Sequence, residues 1–370
     1  MKKILFLIHD LGPGGAEKVL VNLVNNMDPA QFDITVMALF GGGVNEQFLK
    51  PHIRYRSVFP KMFPGNSHLM KLLSPEQLHK LCIREHYDIE VAYLEGPSAR
   101  IISGCTDPTT KTVAWIHIEQ RTRKHAAASF RSYEEAMRVY DSFDRVVCVS
   151  QTVREDFLEL LPVAVPTDVL YNTNETAKIL MLARESIEPG VIKDNEINLV
   201  GVGKLLENKG FHRVIPMVKR LREEGLPVHL FILGNGSMKE SLEKLAAECG
   251  VANAVTLLGY QTNPYKYVAR CDLFVCASYA EGFSTAATEA LIVGTPVCTA
   301  EVSGMKEMLG ENNEWGIVTE NDEEALYRSI KRLLDDPELL ARYKEKAAQR
   351  GRCFSTENTV KAVEDMLLSL

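Results

Sequence analysis

The chain has 370 residues, of which 46% are hydrophobic and 25% charged, and its formal net charge is −7 at pH 7. This length exceeds the ~250–300 residues at which a single hydrophobic core usually stops growing, so the sequence predicts two domains. The acidic balance excludes a protein that grips nucleic acid along its length, because such proteins carry an excess of Lys and Arg. We therefore expect a globular protein with no nucleic-acid partner.

The amino terminus carries an apolar run, Ile4 to Ile8, that is similar to the start of a signal peptide. The run ends at His9 and Asp10 without a small-residue cleavage site, so we interpret it as a buried strand. The sequence has no stretch of about 18 apolar residues that would cross a membrane. Its eight cysteines are scattered and lack the paired spacing of zinc sites, which indicates reduced thiols in a cytoplasmic protein.

Short β-rich runs alternate with longer helical patterns, and the alternation occurs twice along the chain. In the first half we expect helices at 16–26 and 77–85 and strands at 3–8, 34–39, 89–93, 112–116 and 145–149. In the second half we expect helices at 212–223, 238–248 and 285–293 and strands at 198–203, 229–233, 254–258, 273–277 and 296–299. Apolar strands joined through helices indicate α/β domains with parallel sheets covered on both faces.

The two strand sets predict two Rossmann-like domains. We expect an amino-terminal domain at 1–175, an interdomain linker at 176–196, a second domain at 197–352 and a crossover helix at 353–370. The linker contains Pro189 and Gly190, which interrupt regular elements. The last segment places apolar side chains at helical spacing from Val360 to Leu367 and is interpreted as a docking helix.

A glycine-rich loop, from Gly12 to Gly15, follows the first expected strand and opens a helix. Glycines allow backbone N–H groups to approach a phosphate at the positive end of a helix. The spacing is not the dinucleotide pattern Gly-x-Gly-x-x-Gly, which disfavours a dehydrogenase. From the residues alone, a structural turn and a ligand-binding loop are both open.

Two lysines, Lys204 and Lys209, lie in the loop that follows the expected strand at 198–203. Open parallel sheets bind ligands at the carboxyl ends of their strands, and two ammonium groups there suit a diphosphate leaving group. Two solvated loop lysines are the structural alternative.

Glu281 and Glu289 frame a short polar stretch in which Ser284 or Thr285 can cap a helix. Such a helix start would aim N–H groups at an anion. Ionised carboxylates accept paired hydroxyl groups, so the two glutamates suit a sugar ring and a ribose diol. A capped helix with two surface acids fits the residues equally well.

Glu281 and Glu289, in the frame Glu-Gly-Phe-Ser…Glu-Ala, resemble the E-x7-E signature of family-four retaining glycosyltransferases. Further pieces follow the family's order along nearly the whole chain: Gly14-Gly15-Ala16-Glu17, Val149-Ser150, Leu170-Tyr171-Asn172, Gly203-Lys204…Asn208-Lys209-Gly210, Leu233-Gly234-Asn235-Gly236, Leu258-Gly259-Tyr260 and Gly294-Thr295-Pro296-Val297. The resemblance implies the GT-B fold, in which two Rossmann-like, doubly wound parallel-sheet domains face a cleft and a carboxy-terminal helix returns to the amino-terminal domain.

The resemblance implies that the domain at 1–175 binds the acceptor and the domain at 197–352 binds the nucleotide-sugar. It also implies roles for individual residues. Lys204 and Lys209 would hold the donor diphosphate, Glu281 would contact the transferred sugar, and His117 matches the family's histidine near that sugar. From the residues alone, a lone histidine after a strand is more often structural. The implied donor-binding residues are Gly14, Gly15, Gly203, Gly234, Gly259, Tyr260, Gly282, Phe283, Ser284, Thr285 and Glu289, the last on the ribose hydroxyls. Lys204 replaces the family's arginine, which keeps the charge but loses a bidentate phosphate contact.

The implied activity is a retaining, metal-independent transfer of a hexose or N-acetylhexosamine from a UDP-sugar, with a GDP-sugar less expected. The implied acceptor is a glycan or a polyprenyl-diphosphate-linked saccharide in bacterial-type surface polysaccharide assembly. No Asp-x-Asp pair is present to hold a metal, so we expect neither a metal nor a cofactor. The alternatives are a nucleotide-sugar epimerase of the same architecture and a non-catalytic nucleotide-sugar sensor.

Two basic segments, 54–71 and 121–131, lie in the first half. The first has no acidic residue between Glu46 and Glu76, and it interleaves apolar side chains with Arg54, Arg56, Lys61, His68 and Lys71. Such a pattern suits anionic lipid headgroups, although solvated loops fit it as well. We therefore expect a cytoplasmic protein with peripheral contact to the inner face of the cell membrane.

Overall fold

The computed structural model describes residues 1–193 and 195–370, without the side chains of residues 67–69. Asp194 of the expected linker and the side chains of His68 and Leu69 in the basic segment therefore lie outside the described residues. The chain divides into two compact units, the first formed by residues 1–174 and 356–370 and the second by residues 175–355. None of the described helices combines the length and the apolar character that crossing a bilayer requires.

The first unit is built on a seven-stranded sheet. Its strands are β1 (Lys2–Ile8), β2 (Phe32–Phe40), β3 (Arg54–Phe59), β4 (Ile89–Ala92), β5 (Lys111–Ile116), β6 (Arg145–Cys148) and β7 (Thr167–Val169). All pairings are parallel, in the order β3-β2-β1-β4-β5-β6-β7. Central β1 is buried from Ile4 to Ile8, because helices cover both faces of such a sheet.

The helices of the first unit follow its strands. They are α1 (Gly15–Asn26), α2 (Asn66–Leu72), α3 (Pro75–Cys82), α4 (Pro97–Ile102), α5 (Arg123–Ala126), α6 (Tyr133–Asp141) and α7 (Gln151–Leu160). The start of α3 shows why a helix begins there: Ser74 and Gln77 satisfy each other's backbone N–H groups in a capping box, with Pro75 at the first position.

The second unit contains a six-stranded sheet with the order β10-β9-β8-β11-β12-β13, and its pairings are also parallel. Its strands are β8 (Ile197–Val202), β9 (Val228–Leu233), β10 (Val255–Gly259), β11 (Leu273–Cys276), β12 (Val297–Ala300) and β13 (Ile317–Thr319). Its helices are α8 (Thr176–Ala183), α9 (Phe211–Glu223), α10 (Lys239–Glu248), α11 (Tyr265–Val268), α12 (Thr285–Ile292), α13 (Met305–Leu309), α14 (Glu323–Asp335) and α15 (Pro337–Gly351).

The last helix, α16 (Thr356–Leu368), belongs to the first unit although it follows the second along the chain. Its predicted apolar face is confirmed, because Val363 and Leu367 are at most 1% exposed. Polar contacts add to this packing: the backbone N–H of Asp28 donates to Glu364 Oε1 at 2.6 Å, and Lys2 Nζ donates to the Leu367 carbonyl at 3.3 Å.

Two features of the fold differ from the sequence expectation. Within the expected linker at 176–196, residues 176–183 form α8, whose Ile179 packs with Tyr265 and Ile292 of the second unit. The apolar face of α8 therefore ties it to that unit. The three strands without a sequence signal, β3, β7 and β13, all lie at sheet edges. Partial exposure weakens the hydrophobic pattern of β3 and β7, whereas β13 is largely buried but only three residues long.

Candidate functional site

The expected donor residues of the second unit lie along one edge of its sheet. Because the strands are parallel, their carboxyl ends meet at the same edge. Gly203 follows β8, Gly234 follows β9, and Gly259 ends β10 with the half-exposed Tyr260 behind it. The segment 281–285 connects β11 to α12 at this edge. The fold thus brings together residues that the sequence separates by more than 80 positions.

Glycines let the loops at this edge approach one another. A Cβ atom at Gly234, where φ is +143°, would lie 1.8 Å from the Gly203 carbonyl oxygen. A Cβ atom at Gly236 would lie 2.3 Å from the Leu205 carbonyl oxygen, and the Leu205 backbone N–H donates to the Asn235 carbonyl at 2.9 Å. A side chain at either glycine would push the loops after β8 and β9 apart.

Lys209 and Glu281 form an ion pair at this edge. Lys209 Nζ lies 2.6 Å from Glu281 Oε1, and the Ser278 hydroxyl donates to the same oxygen at 2.7 Å. The two side chains are 25% and 13% exposed, so solvent and ligands still reach them. The aliphatic part of Lys209 lies near Gly203, where an added Cβ would be 3.7 Å from Lys209 Cδ. Lys204, at the same strand end, is exposed.

The helix α12 begins beside this ion pair. Ser284 is its N-cap, since the Ser284 hydroxyl accepts from the Ala287 N–H at 3.4 Å, and Thr285 is the first helical residue. Glu289 lies one turn into the helix, is 7% exposed and accepts a hydrogen bond from the Tyr265 hydroxyl at 3.2 Å. The two glutamates therefore occupy separate positions, one before the helix and one within it.

The backbone that leads into α12 is fixed by packing. The Phe283 ring is buried and lies edge-on to Phe354 at a centroid distance of 5.8 Å. Gly304, with φ at +76°, approaches so closely that a Cβ atom there would lie 2.6 Å from the Gly282 carbonyl oxygen. Because the Phe283 ring packs inward, the backbone of this segment lies at the edge of the sheet.

Arg213 is a supporting residue that the sequence analysis missed. It is 2% exposed, and its Nη1 donates to the Ala277 carbonyl at 3.1 Å and to Asn321 Oδ1 at 2.7 Å. Its guanidinium carbon also lies 4.6 Å from the centroid of the Tyr279 ring. These contacts fix the loop that carries Glu281. The available signal was a single arginine among the apolar positions of α9.

In the first unit, Gly14, Gly15 and His117 also lie at carboxyl strand ends, after the nearby strands β1 and β5. Gly14 is the N-cap of α1, and a Cβ atom there would lie 1.8 Å from Glu17 Oε2. The loop is fixed by Asp10, whose Oδ1 accepts from the Gly12 N–H at 2.7 Å.

His117 lies in an aromatic environment. Its ring centroid is 4.7 Å from that of Tyr93 and 6.3 Å from that of Trp115, and its Nε2 has no hydrogen-bond partner among the described residues. Burial lowers the pKa of the imidazole to about 3, although a hydrogen bond with the Tyr93 backbone acts in the opposite direction. The ring is therefore neutral at pH 7.

Glu95, at the end of the neighbouring β4, is a second residue that the sequence analysis did not identify. Its Oε2 accepts from the His117 backbone N–H at 3.1 Å. Burial raises the pKa of this carboxyl to about 6, while hydrogen bonds from the His117 and Glu95 backbones and from the Gln120 side chain lower it. A carboxyl after an apolar strand was its only sequence signal.

The basic segment 54–71 is less cationic than its sequence indicates. Arg54 and Arg56 lie on β3, and the fold supplies acids from elsewhere in the chain. Arg54 Nη2 is 3.1 Å from Asp33 Oδ2, and Arg56 Nη2 is 2.6 Å from Glu85 Oε1. These two arginines therefore have local counter-ions, which the run between Glu46 and Glu76 does not reveal.

In the segment 121–131, Arg131 supports the fold, because its guanidinium donates to the carbonyls of Lys71 and Leu72 at the end of α2. Arg121 pairs with Glu119 at 2.9 Å. The exposed side chains that remain on the two segments include Lys61, Met62, Lys124 and His125, and Leu72, directly after the first segment, is also exposed.

Two family models match the chain. Glycosyltransferase Family 4 matches residues 13–177, and Glycosyl transferases group 1 matches residues 183–350. A relative from Campylobacter jejuni, named N-acetylgalactosamine-N,N'-diacetylbacillosaminyl-diphospho-undecaprenol 4-alpha-N-acetylgalactosaminyltransferase, is 29% identical, with 99% of each chain covered. The lipopolysaccharide core biosynthesis glycosyltransferase LpsE of Rhizobium meliloti is 24% identical, with 96% of each covered.

Solved structures show the same fold. Anabaena HepE in complex with UDP and glucose superposes with a TM-score of 0.77 at 20% identity, with both chains covered completely. A sucrose-phosphate synthase from Thermosynechococcus elongatus has a TM-score of 0.79 at 17% identity, covering 100% of this chain and 99% of that one. The predicted GT-B fold is thereby confirmed. With one model on each unit and two parallel-sheet units of this topology, the chain belongs to the family-four glycosyltransferases and is an enzyme of that class.

Proposed function

We propose that this glycosyltransferase moves a hexose or N-acetylhexosamine from a UDP-sugar to a lipid-linked saccharide, with retention of anomeric configuration and without a metal ion at the reacting bond. The ion pair of Lys209 and Glu281 beside the start of α12 carries the proposal, since a cation and a carboxylate at this edge of the sheet suit a diphosphate and its sugar. The name of the Campylobacter relative specifies an undecaprenol-diphosphate-linked acceptor, and HepE was solved with UDP, which supports these substrate classes.

The leaving group determines what the donor site must do. When the bond between the sugar C1 and the diphosphate oxygen breaks, negative charge accumulates on the departing UDP. Lys209, the exposed Lys204 and the N–H groups at the start of α12 would stabilise that charge. In metal-dependent transferases a divalent cation performs this work. We infer that two lysines and the positive end of a helix at one edge of the sheet supply this stabilisation without a metal.

The two glutamates would hold different parts of the donor. Glu289 is fixed by the Tyr265 hydroxyl, and its carboxylate would accept both ribose hydroxyls. Glu281 would accept hydroxyls of the transferred sugar with the oxygen that neither Lys209 nor Ser278 contacts. Both residues thus act by orienting the donor, which lowers the entropic part of the barrier.

Retention would follow from attack on the face from which UDP leaves. The acceptor oxygen forms its bond to C1 as the C1–O bond of the diphosphate breaks, and the acceptor proton passes to a phosphate oxygen of the departing UDP. The cationic groups that stabilise UDP therefore act throughout this step.

A lipid-linked acceptor requires access to a membrane surface. We propose that the first unit makes peripheral contact with the cytoplasmic face of the membrane through the exposed Lys61, Met62, Leu72 and Lys124. Lysine side chains are attracted to anionic headgroups, and exposed apolar side chains enter the interface between headgroups and acyl chains. Arg54 and Arg56 are left out of this surface because their counter-ions are Asp33 and Glu85.

The test is a panel of UDP- and GDP-sugars in the presence of EDTA, scored for nucleotide release with and without a bacterial membrane-lipid extract. Acceptor-stimulated release from one UDP-sugar, with an unchanged anomeric configuration in the product, is the expected result. Release only from a GDP-sugar, or an inverted product, would reject the corresponding part of the proposal. Binding without release would favour the sensor, and epimerised donor would favour the epimerase.

A further inference from the structure

Three side chains that commonly bind transition metals converge in the first unit, away from the proposed sugar-transfer residues. His79 lies on α3, Glu90 on β4 and Cys105 in the turn after α4. His79 Nε2 is 2.7 Å from Glu90 Oε2, and one ligand atom from each of the three residues lies within 4.8 Å of the others. Glu90 is near the amino end of β4, whereas Glu95 follows its carboxyl end, so the cluster occupies the opposite edge of the sheet.

The cluster is enclosed. The side chains of Glu90 and His79 are 2% and 14% exposed, and Glu90 lies between Ile89 and Val91 on a buried strand. A buried carboxylate needs compensating charge or hydrogen bonds, because desolvation of an isolated ion costs several kcal/mol. Among the described residues, the contact from His79 is the only hydrogen bond to the Glu90 side chain. A cation beside Glu90 would further offset the desolvation cost of its carboxylate.

The surrounding backbone holds the three residues in place. The end of α4 approaches the start of α3 so closely that a Cβ atom at Gly104 would lie 2.0 Å from the Pro75 carbonyl oxygen. On the other side of Cys105, the Thr110 hydroxyl donates to the Tyr87 carbonyl at 2.7 Å, just before β4. Burial and the nearby Glu90 carboxylate raise the pKa of the Cys105 thiol, so without a metal the cysteine is protonated at pH 7.

We propose that His79, Glu90 and Cys105 bind one Zn²⁺ ion, with water as the fourth ligand. One nitrogen, one oxygen and one sulfur donor match the borderline preference of Zn²⁺, whereas Mg²⁺ and Ca²⁺ require oxygen donors. Bond lengths of about 2.0–2.3 Å place neighbouring tetrahedral ligands about 3.3–3.8 Å apart, so His79 and Glu90 separate slightly and Cys105 moves closer.

The charges balance in this site. The Cys105 thiol releases its proton to solvent as the Zn–S bond forms, and the carboxylate and thiolate together neutralise Zn²⁺. Because the site is at the opposite edge of the sheet from His117 and Glu95, we assign it a structural role. Zinc at this position would stabilise the first unit, and the proposed sugar transfer would not involve it.

The experiment uses the full chain, reduced and stripped of metal, titrated with Zn²⁺ against a chromophoric chelator. We expect one tightly bound zinc per chain and a rise in Tm on binding. Cys105→Ser and His79→Gln should each lose more than about 100-fold in zinc affinity, because even residues that only support metal ligands contribute about 10–100-fold. Cys249→Ser, which removes another half-buried cysteine, should bind zinc within about threefold of the unmodified chain, because no proposed ligand is lost. Co²⁺ in place of zinc should give a thiolate-to-cobalt charge-transfer band that Cys105→Ser abolishes.

A measurement on the unmodified chain covers the case in which a variant fails to fold. Zinc should protect Cys105, and not Cys249, from alkylation mapped by mass spectrometry. Absence of stoichiometric binding, no protection of Cys105, or binding that neither Cys105→Ser nor His79→Gln weakens would overturn the proposal. Because EDTA would also remove a structural zinc, the donor panel is repeated without EDTA on the zinc-loaded chain, and Tm is measured in both conditions. Either proposal can then fail without the other.

Discussion

Replacing Lys209 with alanine tests whether this lysine stabilises the negative charge of the leaving group in the proposed donor site. The substitution removes the ammonium that lies 2.6 Å from Glu281 Oε1, together with one cation for the departing diphosphate. Loss of one preorganised charge-stabilising donor costs about 2.7–4 kcal/mol in a transition state. Since about 1.36 kcal/mol corresponds to a tenfold change in rate, turnover should fall about 100- to 900-fold.

The effect should fall on kcat more than on KM, because the charge on the leaving phosphate is largest in the transition state. The assay is nucleotide release at saturating donor and acceptor in EDTA. The matched control is Lys219→Ala on α9, which removes another lysine paired with a glutamate, at 3.8 Å from Glu223. The control should keep the activity of the unmodified enzyme.

A Lys209→Ala enzyme that turns over within threefold of the unmodified chain would refute the assignment of this lysine to the leaving group. Equal losses in Lys209→Ala and Lys219→Ala would indicate a general effect on folding. Measuring Tm for both variants separates these cases, since a loss of catalysis with an unchanged Tm belongs to the site.

Three further predictions concern the glycine contacts, His117 and the proposed membrane surface. Gly225→Ala should lower the free energy of unfolding by about 1 kcal/mol, or Tm by about 2–4 °C, because the alanine must adopt a left-handed backbone conformation in open space. Gly210→Ala should lower Tm further, because its Cβ would also lie 2.0 Å from the Ala277 carbonyl oxygen. Since burial lowers the pKa of His117 from 6.5 to about 3, the unfolded chain takes up the proton first, and His117→Gln should flatten the fall of Tm as the pH drops below 6.5. Lys61→Gln and Lys124→Gln should each weaken sedimentation with anionic liposomes about fivefold at low salt, from about 1 kcal/mol per lysine, and unchanged binding would remove these lysines from the surface.

The local part of the fold could be predicted from the sequence. Apolar runs such as Ile4 to Ile8 predicted ten of the strands nearly at their observed bounds, because buried parallel strands consist of continuous apolar segments. The edge strand β3 was missed, since its arginines and tyrosine are half-exposed and break that pattern. The basic segment also carries less net positive charge in the folded chain than its sequence indicates. Asp33 and Glu85, which neutralise Arg54 and Arg56, lie outside the segment and reach it only through the fold.

Only the residues of the candidate site that belong to short sequence motifs could be predicted. The lysine and glutamate positions follow from short patterns, whereas Ser278 and Arg213 enter through contacts that only the folded chain creates. The zinc cluster is an extreme case: His79, Glu90 and Cys105 have spacings of 11 and 15 residues, which resemble no metal motif. Convergence of a helix, a strand and a turn supplies what the sequence spacing does not.

The ion pair between Lys209 and Glu281 also gives a physical reason why the proposed donor site would be stable before a donor binds. Lys209 is three-quarters buried, and a lysine in that position needs an anionic partner. Glu281, held by Ser278, supplies it in the absence of substrate. A diphosphate that binds there brings its own negative charge, so Lys209 can turn to the phosphate while Glu281 accepts sugar hydroxyls instead. Under the proposed function, the same carboxylate would compensate the free site and orient the bound sugar, which gives a physical reason for a glutamate at this position.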